Sequence, residues 1–348
     1  MTKTNYFDGI IGQDVAKRKL SFYLDNYRAS NYIPHLMFVA PKGCGKTTIA
    51  KAVGRNLVAR GSVKAKKFLE INCSTIKNIK QLFNQVIIPQ VNHEECTVLF
   101  DEASELPKDV TMAFLTILNP NPENRTSFSM EDYVVDFDFS RQSFMFATTE
   151  AQSIFHALMD RCDRVDLEEY TYNELGLIVG NNLEGFTFQD GLLEEIATVL
   201  RGNARAAQKM ANNIKAYLAK VGKERFGQAD WTRLKYSLGI LVLGLSRIEL
   251  QILRILETDG DCSLTKLAAK TGLTPECIRR DFEMYLQKNN LMEISRSGRG
   301  ITKKGQDYLR EVAIEEEKGE PPDTIRIRLP SATEKTSTKI KLPERIKE

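Results

Sequence analysis

The stretch HLMFVAPKGCGKTTIA (residues 35–50) limits what this chain can fold into more than any other. An apolar run meets a turn holding Gly43 and Gly45, and a segment with helical spacing opens at Lys46. Three more apolar runs follow: KFLEI (67–71), CTVLF (96–100) and QSFMFATT (142–149). LMFVA (36–40), CTVLF and QSFMFATT are nearly continuous, as in strands buried on both faces, while KFLEI partly alternates. Helical segments lie between them, notably TTIAKAVGRNLVAR (47–60) and VTMAFLTIL (110–118). Alternation of this kind predicts an α/β domain with a parallel sheet between helices.

The pattern changes along the chain. From Asn173 to about Gly244 only helical spacing remains, broken at EGF (184–186) and RGN (201–203). A third region, from about Ser246, runs through SRIELQILRILE, LTKLAAKTG and TPECIRRDFEMYLQK into the hairpin-like LMEISRSGRGIT. Beyond Ala313 the sequence turns to EEEKGEPP and a Lys-, Thr- and Pro-containing tail without a sustained apolar face, as disordered segments do. The expected division is a large domain over 1–168, a helical domain over 169–244, a third domain over 245–313 and a charged tail over 314–348.

Composition removes several classes. With 42% apolar and 27% charged residues, the 348-residue chain is ordinary for a soluble globular protein. A net charge of +3 places any nucleic-acid contact in a local patch. Cys44, Cys73, Cys96, Cys162, Cys262 and Cys277 show no C-x-x-C pair, and His35, His93 and His156 are far apart. That spacing argues against a zinc site and a disulfide framework. No stretch reads as a signal peptide or a bilayer span, so a reducing cytoplasm is expected.

A loop of the form APKGCGKT has a definite chemistry. Small residues at Gly43 and Gly45 let backbone N–H groups, including that of Cys44, point inward around phosphates. Lys46 reaches the outer phosphates, Thr47 supplies a hydroxyl to Mg2+, and Thr48 continues a helix whose N-terminus favours anions. Ala40 stands where the usual pattern has its first glycine; a methyl group is tolerable there if φ stays negative. The bland alternative is a fortuitous glycine turn, or a site that binds without hydrolysing. TVLFDE (97–102) bears on that choice: an apolar strand ends in two acids, Asp101 to hold the metal and Glu102 to polarise a water for attack on the γ-phosphate. The alternative for this pair is a solvated cap on the next helix.

With further motifs, the chain resembles the AAA+ ATPases, and within them the RuvB family of Holliday junction branch-migration motors, from about Phe7 to Leu309. DGIIGQ (8–13), with Ile11 and Gly12, resembles the adenine-side box. FMFATTE (144–150) resembles the sensor-1 strand, which implies Thr149 as the γ-phosphate sensor. ALMDRCDRV (157–165) is similar to the segment with the trans-acting arginine finger, here Arg161; its alternative is a surface ion pair with Asp160 or Asp163. LEEYTYNEL (167–175) looks like the entry to the lid, with Tyr170 near the adenine. RGNARAAQKMANNI (201–214) resembles the sensor-2 helix, which implies that Arg205 contacts phosphates; an exposed helix charge is the alternative. The resemblance thus implies an ATP- and Mg2+-dependent AAA+ domain, a helical lid and a winged-helix domain, assembled as a homohexamer.

YLQKNNLMEISRSGRGITKKGQDYL (285–309) resembles the winged-helix end of the family, where a wing of R-x-x-x-G-R-x-x-T form meets DNA. The corresponding residues are Arg296, Arg299 and Thr302, and Lys288, Lys303 and Lys304 lie around them. No aromatic residue in the wing is available for stacking, so contact with the DNA backbone is expected rather than base reading. Some positions depart from the family pattern: Ala40, Ser104 for the usual histidine, and Glu150 for the usual arginine. The segment 125–144, with Phe128, Tyr133, Phe137 and Phe139, matches in position the hairpin that docks the partner RuvA. A hairpin packing on its own domain is the equal alternative. Two other functions stay open at this point. One is a clamp-loader-like remodelling subunit, suggested by DRC (160–162) and LPKDVTMAFLTIL. The other is a DNA-binding regulator on an inactive ATPase.

Overall fold

The computed structural model describes residues 5–119, 125–130 and 133–317. Each apolar run becomes a strand: β1 (Leu36–Val39), β2 (Lys67–Asn72), β3 (Cys96–Asp101) and, after a hairpin of β4 (Arg125–Met130) and β5 (Tyr133–Asp138), β6 (Ser143–Thr148). A short strand not expected from the sequence, β7 (Asp163–Asp166), completes a five-stranded parallel sheet of order β2-β3-β6-β1-β7. Only Val165 of β7 is buried, so an edge strand with little apolar signal escapes a search by hydropathy.

Side chains alternate across a strand, so each central strand feeds two cores. Leu99 joins Leu20, Leu24, Ile49, Val53 and Met145 on one face, while its neighbour Phe100 joins Phe83, Phe114, Phe144 and Phe146 on the other. The first face is covered by helices Asp14–Ser30 and Lys46–Asn56, the second by helix Lys108–Ile117. Region 61–96, which carries no family pattern in sequence, contributes β2 and a π-helical stretch, Phe83–Val91. Pro89 lies inside that stretch; with no N–H to donate, it does not extend an α-helix without loss. Phe83, Val86, Ile87 and Val91 bury its inner side.

Phe128, Phe137 and Phe139 of the hairpin segment face inward. Phe83 meets Phe128 at 4.7 Å and Phe137 at 5.3 Å between ring centroids, and Phe137 stacks on Phe139 at 5.6 Å. Those three rings follow the packing alternative; the side chain of Tyr133 lies outside the described residues.

Contacts divide the chain into two units, one through Gln228 with Val242–Leu245, the other Ala229–Leu241 with the chain from Ser246 on. The lid helices Tyr172–Asn181, Leu192–Thr198 and Ala204–Val221 thus cluster with the large domain. Helix Gln228–Leu238, placed with the lid by sequence, falls almost entirely in the second unit. Ala207, Met210, Ala211, Ile214 and Leu218 form the buried stripe of the longest lid helix, at the spacing of one helical face. A parallel pair, β8 (Thr187–Phe188) with β9 (Arg225–Phe226), ties the lid together.

The second unit begins its main fold at helix Arg247–Asp259, started by a reciprocal cap of Ser246 and Glu249. Helix Leu264–Thr271 follows, then a continuous helical run from Pro275 to Lys288, and the antiparallel wing β10 (Met292–Ile294) and β11 (Arg299–Ile301). The last helix, Lys303–Glu317, continues past Ala313, and the rest of the tail lies outside the described residues. No described helix is long and apolar enough to cross a membrane.

Candidate active site and nucleic-acid interface

The glycine loop joins β1 to helix Lys46–Asn56, and Gly43 and Gly45 take φ of 84° and 88°. Only glycine adopts such angles without strain, which explains two of its positions. Ala40 keeps a negative φ, is buried, and donates its N–H to Thr148 at 3.3 Å. Its methyl therefore costs the turn nothing. Cys44 is buried, so only its backbone is available to a ligand.

Lys46 is 8% exposed, and its ammonium donates to the carbonyls of Ala40 at 2.9 Å and Pro41 at 3.2 Å. Burial lowers its pKa, while Glu102 and Asp101 pull the other way. The Thr47 hydroxyl donates to Asp101 Oδ2 at 3.3 Å, and Asp101 Oδ1 accepts the Glu102 N–H at 3.0 Å. Glu102 itself has φ 55°. Left-handed backbone is costly for a branched or long side chain, and such strain gathers at functional positions. Here it follows directly from turning the acid out of the strand end beside the loop. Thr149 comes just after β6, half-buried, next to the strand end that pairs with Ala40.

The residues expected on the adenine side also converge. A Cβ on Gly12 would meet Glu174 and Tyr170, and one on Gly45 would lie 2.9 Å from the Tyr170 hydroxyl. Tyr170 is buried, and burial raises its pKa. Ile11 is half-buried, and Thr48 is exposed on a cleft of about 290 Å³ with Ile10, Lys51 and Arg55. Gln13, which the motif reading passes over, pairs its amide twice with the backbone of Glu168, at 2.7 and 2.9 Å. This joins the box before the loop to the entry of the lid. Its left-handed φ of 62° is a signal no sequence pattern announces.

Arg205 is exposed on the first turn of its helix, near enough to lower the Lys46 pKa. Arg161 is turned onto its own chain, donating to Leu115 O at 3.1 Å and Ala157 O at 2.8 Å. It pairs with neither Asp160 nor Asp163 in those bonds: Asp160 instead meets His156 at 2.9 Å.

In the second unit the wing residues separate into two groups. Arg299 is held by Glu283, Nε to Oε1 at 2.5 Å. Thr302 donates to Asn290 O at 2.6 Å and accepts the Gly305 N–H at 3.0 Å, capping the last helix. Arg299 and Thr302 thus each have partners within the fold. Arg296, in the turn of the wing, and Lys303 and Lys304, on the first turn of the helix, are exposed.

A family model described as "ATPase family associated with various cellular activities (AAA)" matches residues 36–170, and one for the RuvB C-terminal winged helix domain matches residues 242–310. The chain thus carries an AAA domain followed by a RuvB-type C-terminal winged helix domain. Among curated relatives named "Holliday junction branch migration complex subunit RuvB", that of Latilactobacillus sakei is 25% identical over 86% of this chain and 89% of its own. That of Thermotoga maritima is 25% identical over 87% and 90%. The solved Thermotoga maritima RuvB, titled a Holliday junction branch migration motor, matches with a TM-score of 0.71, 22% identity, and 88% and 98% coverage. At that identity the structural match speaks for the fold alone: an AAA+ domain, a helical region and a winged helix in the order seen in RuvB.

Proposed function

We propose that this chain, with its AAA domain and RuvB-type winged helix, is an ATP-driven DNA motor, acting as a ring that drives branch migration of four-way junctions or other branched DNA. The observation that carries the reading is the Thr47–Asp101 contact at 3.3 Å, with Lys46 and Glu102 beside it, in a chain that also bears the family's wing. A hydroxyl and a carboxylate suit Mg2+, which takes oxygen ligands and keeps waters and phosphate oxygens for its other positions. When bound, that ion would neutralise charge on the phosphates.

The arrangement supports a role for each residue. Lys46 leaves the carbonyls of Ala40 and Pro41 for the outer phosphates. Glu102 orients and deprotonates the attacking water. Thr149 and Arg205 face the γ-phosphate from the sheet end and the lid. Arg161, released from Leu115 and Ala157, reaches the neighbour's ATP, which ties hydrolysis to a homohexameric ring. Arg296, Lys303 and Lys304 hold the DNA backbone. Lys303 and Lys304 sit at a helix N-terminus, where positive charge opposes the helix dipole. A use outside the helix accounts for cations in that place.

A RuvA-type partner would find Phe128, Phe137 and Phe139 already packed within their own domain. The relatives' names support the branch-migration reading, and a cytoplasmic location is in keeping with it. The test is purified protein with a synthetic four-way junction: hydrolysis stimulated by DNA, together with movement of the junction, is expected. Hydrolysis that needs a sliding clamp, or no hydrolysis at all, overturns it.

A further inference from the structure

Asn203 begins the lid helix Ala204–Val221 and uses both ends of its amide. Oδ1 accepts the N–H groups of Arg205 at 2.9 Å and Ala206 at 3.1 Å, an ordinary helix cap. Nδ2 donates to the carbonyl of Lys42, 161 positions away in sequence, at 3.2 Å. Beside it, the N–H of Ala204 donates to the carbonyl of Gly43 at 3.0 Å. The amide rests so closely on the loop that a Cβ on Gly43 would lie 2.0 Å from Oδ1. Gly43 is thus demanded twice, by its φ of 84° and by the lid side chain against it.

The consequence comes from peptide planarity. In a trans peptide the C=O and the following N–H point in opposite directions. Holding the carbonyls of Lys42 and Gly43 toward the lid therefore turns the N–H groups of Gly43 and Cys44 away from it. Two successive inward N–H groups are what an anion-binding loop is made of. We infer that Asn203 is a positioning residue, which through Lys42 and Gly43 sets the phosphate-binding N–H groups before the nucleotide arrives. Docking of the lid and affinity for phosphate are then one coupled event. This deepens the nucleotide-site reading and rests on it.

Asn203→Asp and Asn203→Ser in the full chain test the inference, because both keep a capping acceptor, while Asp has no donor and the shorter Ser hydroxyl no longer reaches Lys42. Both variants are expected to fold, and to unfold within a few degrees of the wild-type temperature. MgADP should bind roughly tenfold more weakly, the loss expected for about one to two net hydrogen bonds, while adenosine, which has no phosphate, competes unchanged. Amide hydrogen exchange without nucleotide should show Ala204 losing protection, with the rest of the helix unaltered. Wild-type MgADP affinity in both variants, or equal weakening of MgADP and adenosine, overturns the inference and leaves Asn203 as a cap alone. If the wild-type chain binds no nucleotide, the reading of the loop fails. The exchange of Ala204 then still decides the latch: retained protection in the variants removes it.

Discussion

Arg299 and Glu283 are bound side chain to side chain at 2.5 Å, with 18% and 3% of those side chains exposed. The pair ties β11 to the helical run that ends at Lys288. Removing one partner leaves the other as an uncompensated buried charge. Arg299→Ala is expected to destabilise the second unit by on the order of 3 kcal/mol, read as an earlier transition in urea. Wild-type stability in that variant would return Arg299 to the DNA surface.

The exposed cations should behave in the opposite way. Arg296→Ala, Lys303→Ala and Lys304→Ala are each expected to weaken duplex binding and to reduce the slope of log K against log salt by about one. Lys303→Ala and Lys304→Ala should also raise stability by about 0.3–1 kcal/mol, because each removes positive charge from a helix N-terminus. Salt titrations of binding, together with thermal melts, check both effects. An unchanged salt slope in all three variants would remove the wing from the DNA interface.

Glu102 and Arg161 are expected to serve different ATP molecules. Glu102→Gln should bind ATP and lose roughly 10²-fold or more in turnover, the range for a positioned general base. Arg161→Ala should lose roughly 10³-fold or more, as when an arginine finger is absent. Mixing the two variants should recover part of the activity, since an intact glutamate in one subunit then meets an intact arginine in the next. A mixture no more active than its parts contradicts action across subunits.

His35 gives a stability effect at acid pH. Its Nδ1 has no hydrogen-bond partner among the described residues, and its ring lies 5.8 Å from that of Phe144. Burial lowers its pKa to about 4. Between that value and the unfolded value of about 6.5, the unfolded chain binds a proton that the folded chain does not. Stability is therefore undiminished above about pH 6.5 and falls as pH drops toward 4, by no more than about 3 kcal/mol from this group. His35→Phe should flatten that part of the profile in urea unfolding between pH 7.5 and 4.5. An equal acid loss in the variant would assign it to other groups.

Much of the first unit is legible from local pattern. β1, β2, β3 and β6 follow their apolar runs closely, and helices Lys46–Asn56 and Lys108–Ile117 follow their spacing. β7 and the π-helical stretch are not, since an exposed edge strand and a wide helical turn leave no periodic trace. In the site, Lys46, Thr47, Asp101 and Glu102 stand out because their chemistry demands fixed residue types at fixed spacing. Gln13 and Asn203 do not, because an amide that pairs with distant backbone looks like any polar residue near a turn.

The amino-acid order by itself determined the sheet, the glycine loop and the acids after β3, for these depend on neighbours in sequence and on φ angles only glycine adopts freely. Tertiary structure alone decided which cations are available. Arg299 and Arg296 look equivalent in the string, yet one meets Glu283 of the helical run and the other stands in the turn. It also decided that Asn203 reaches Lys42, a pairing made only when helix and loop, far apart along the chain, pack face to face. Charge and hydrogen-bonding capacity belong to a residue; whether they remain free depends on what folding brings against them.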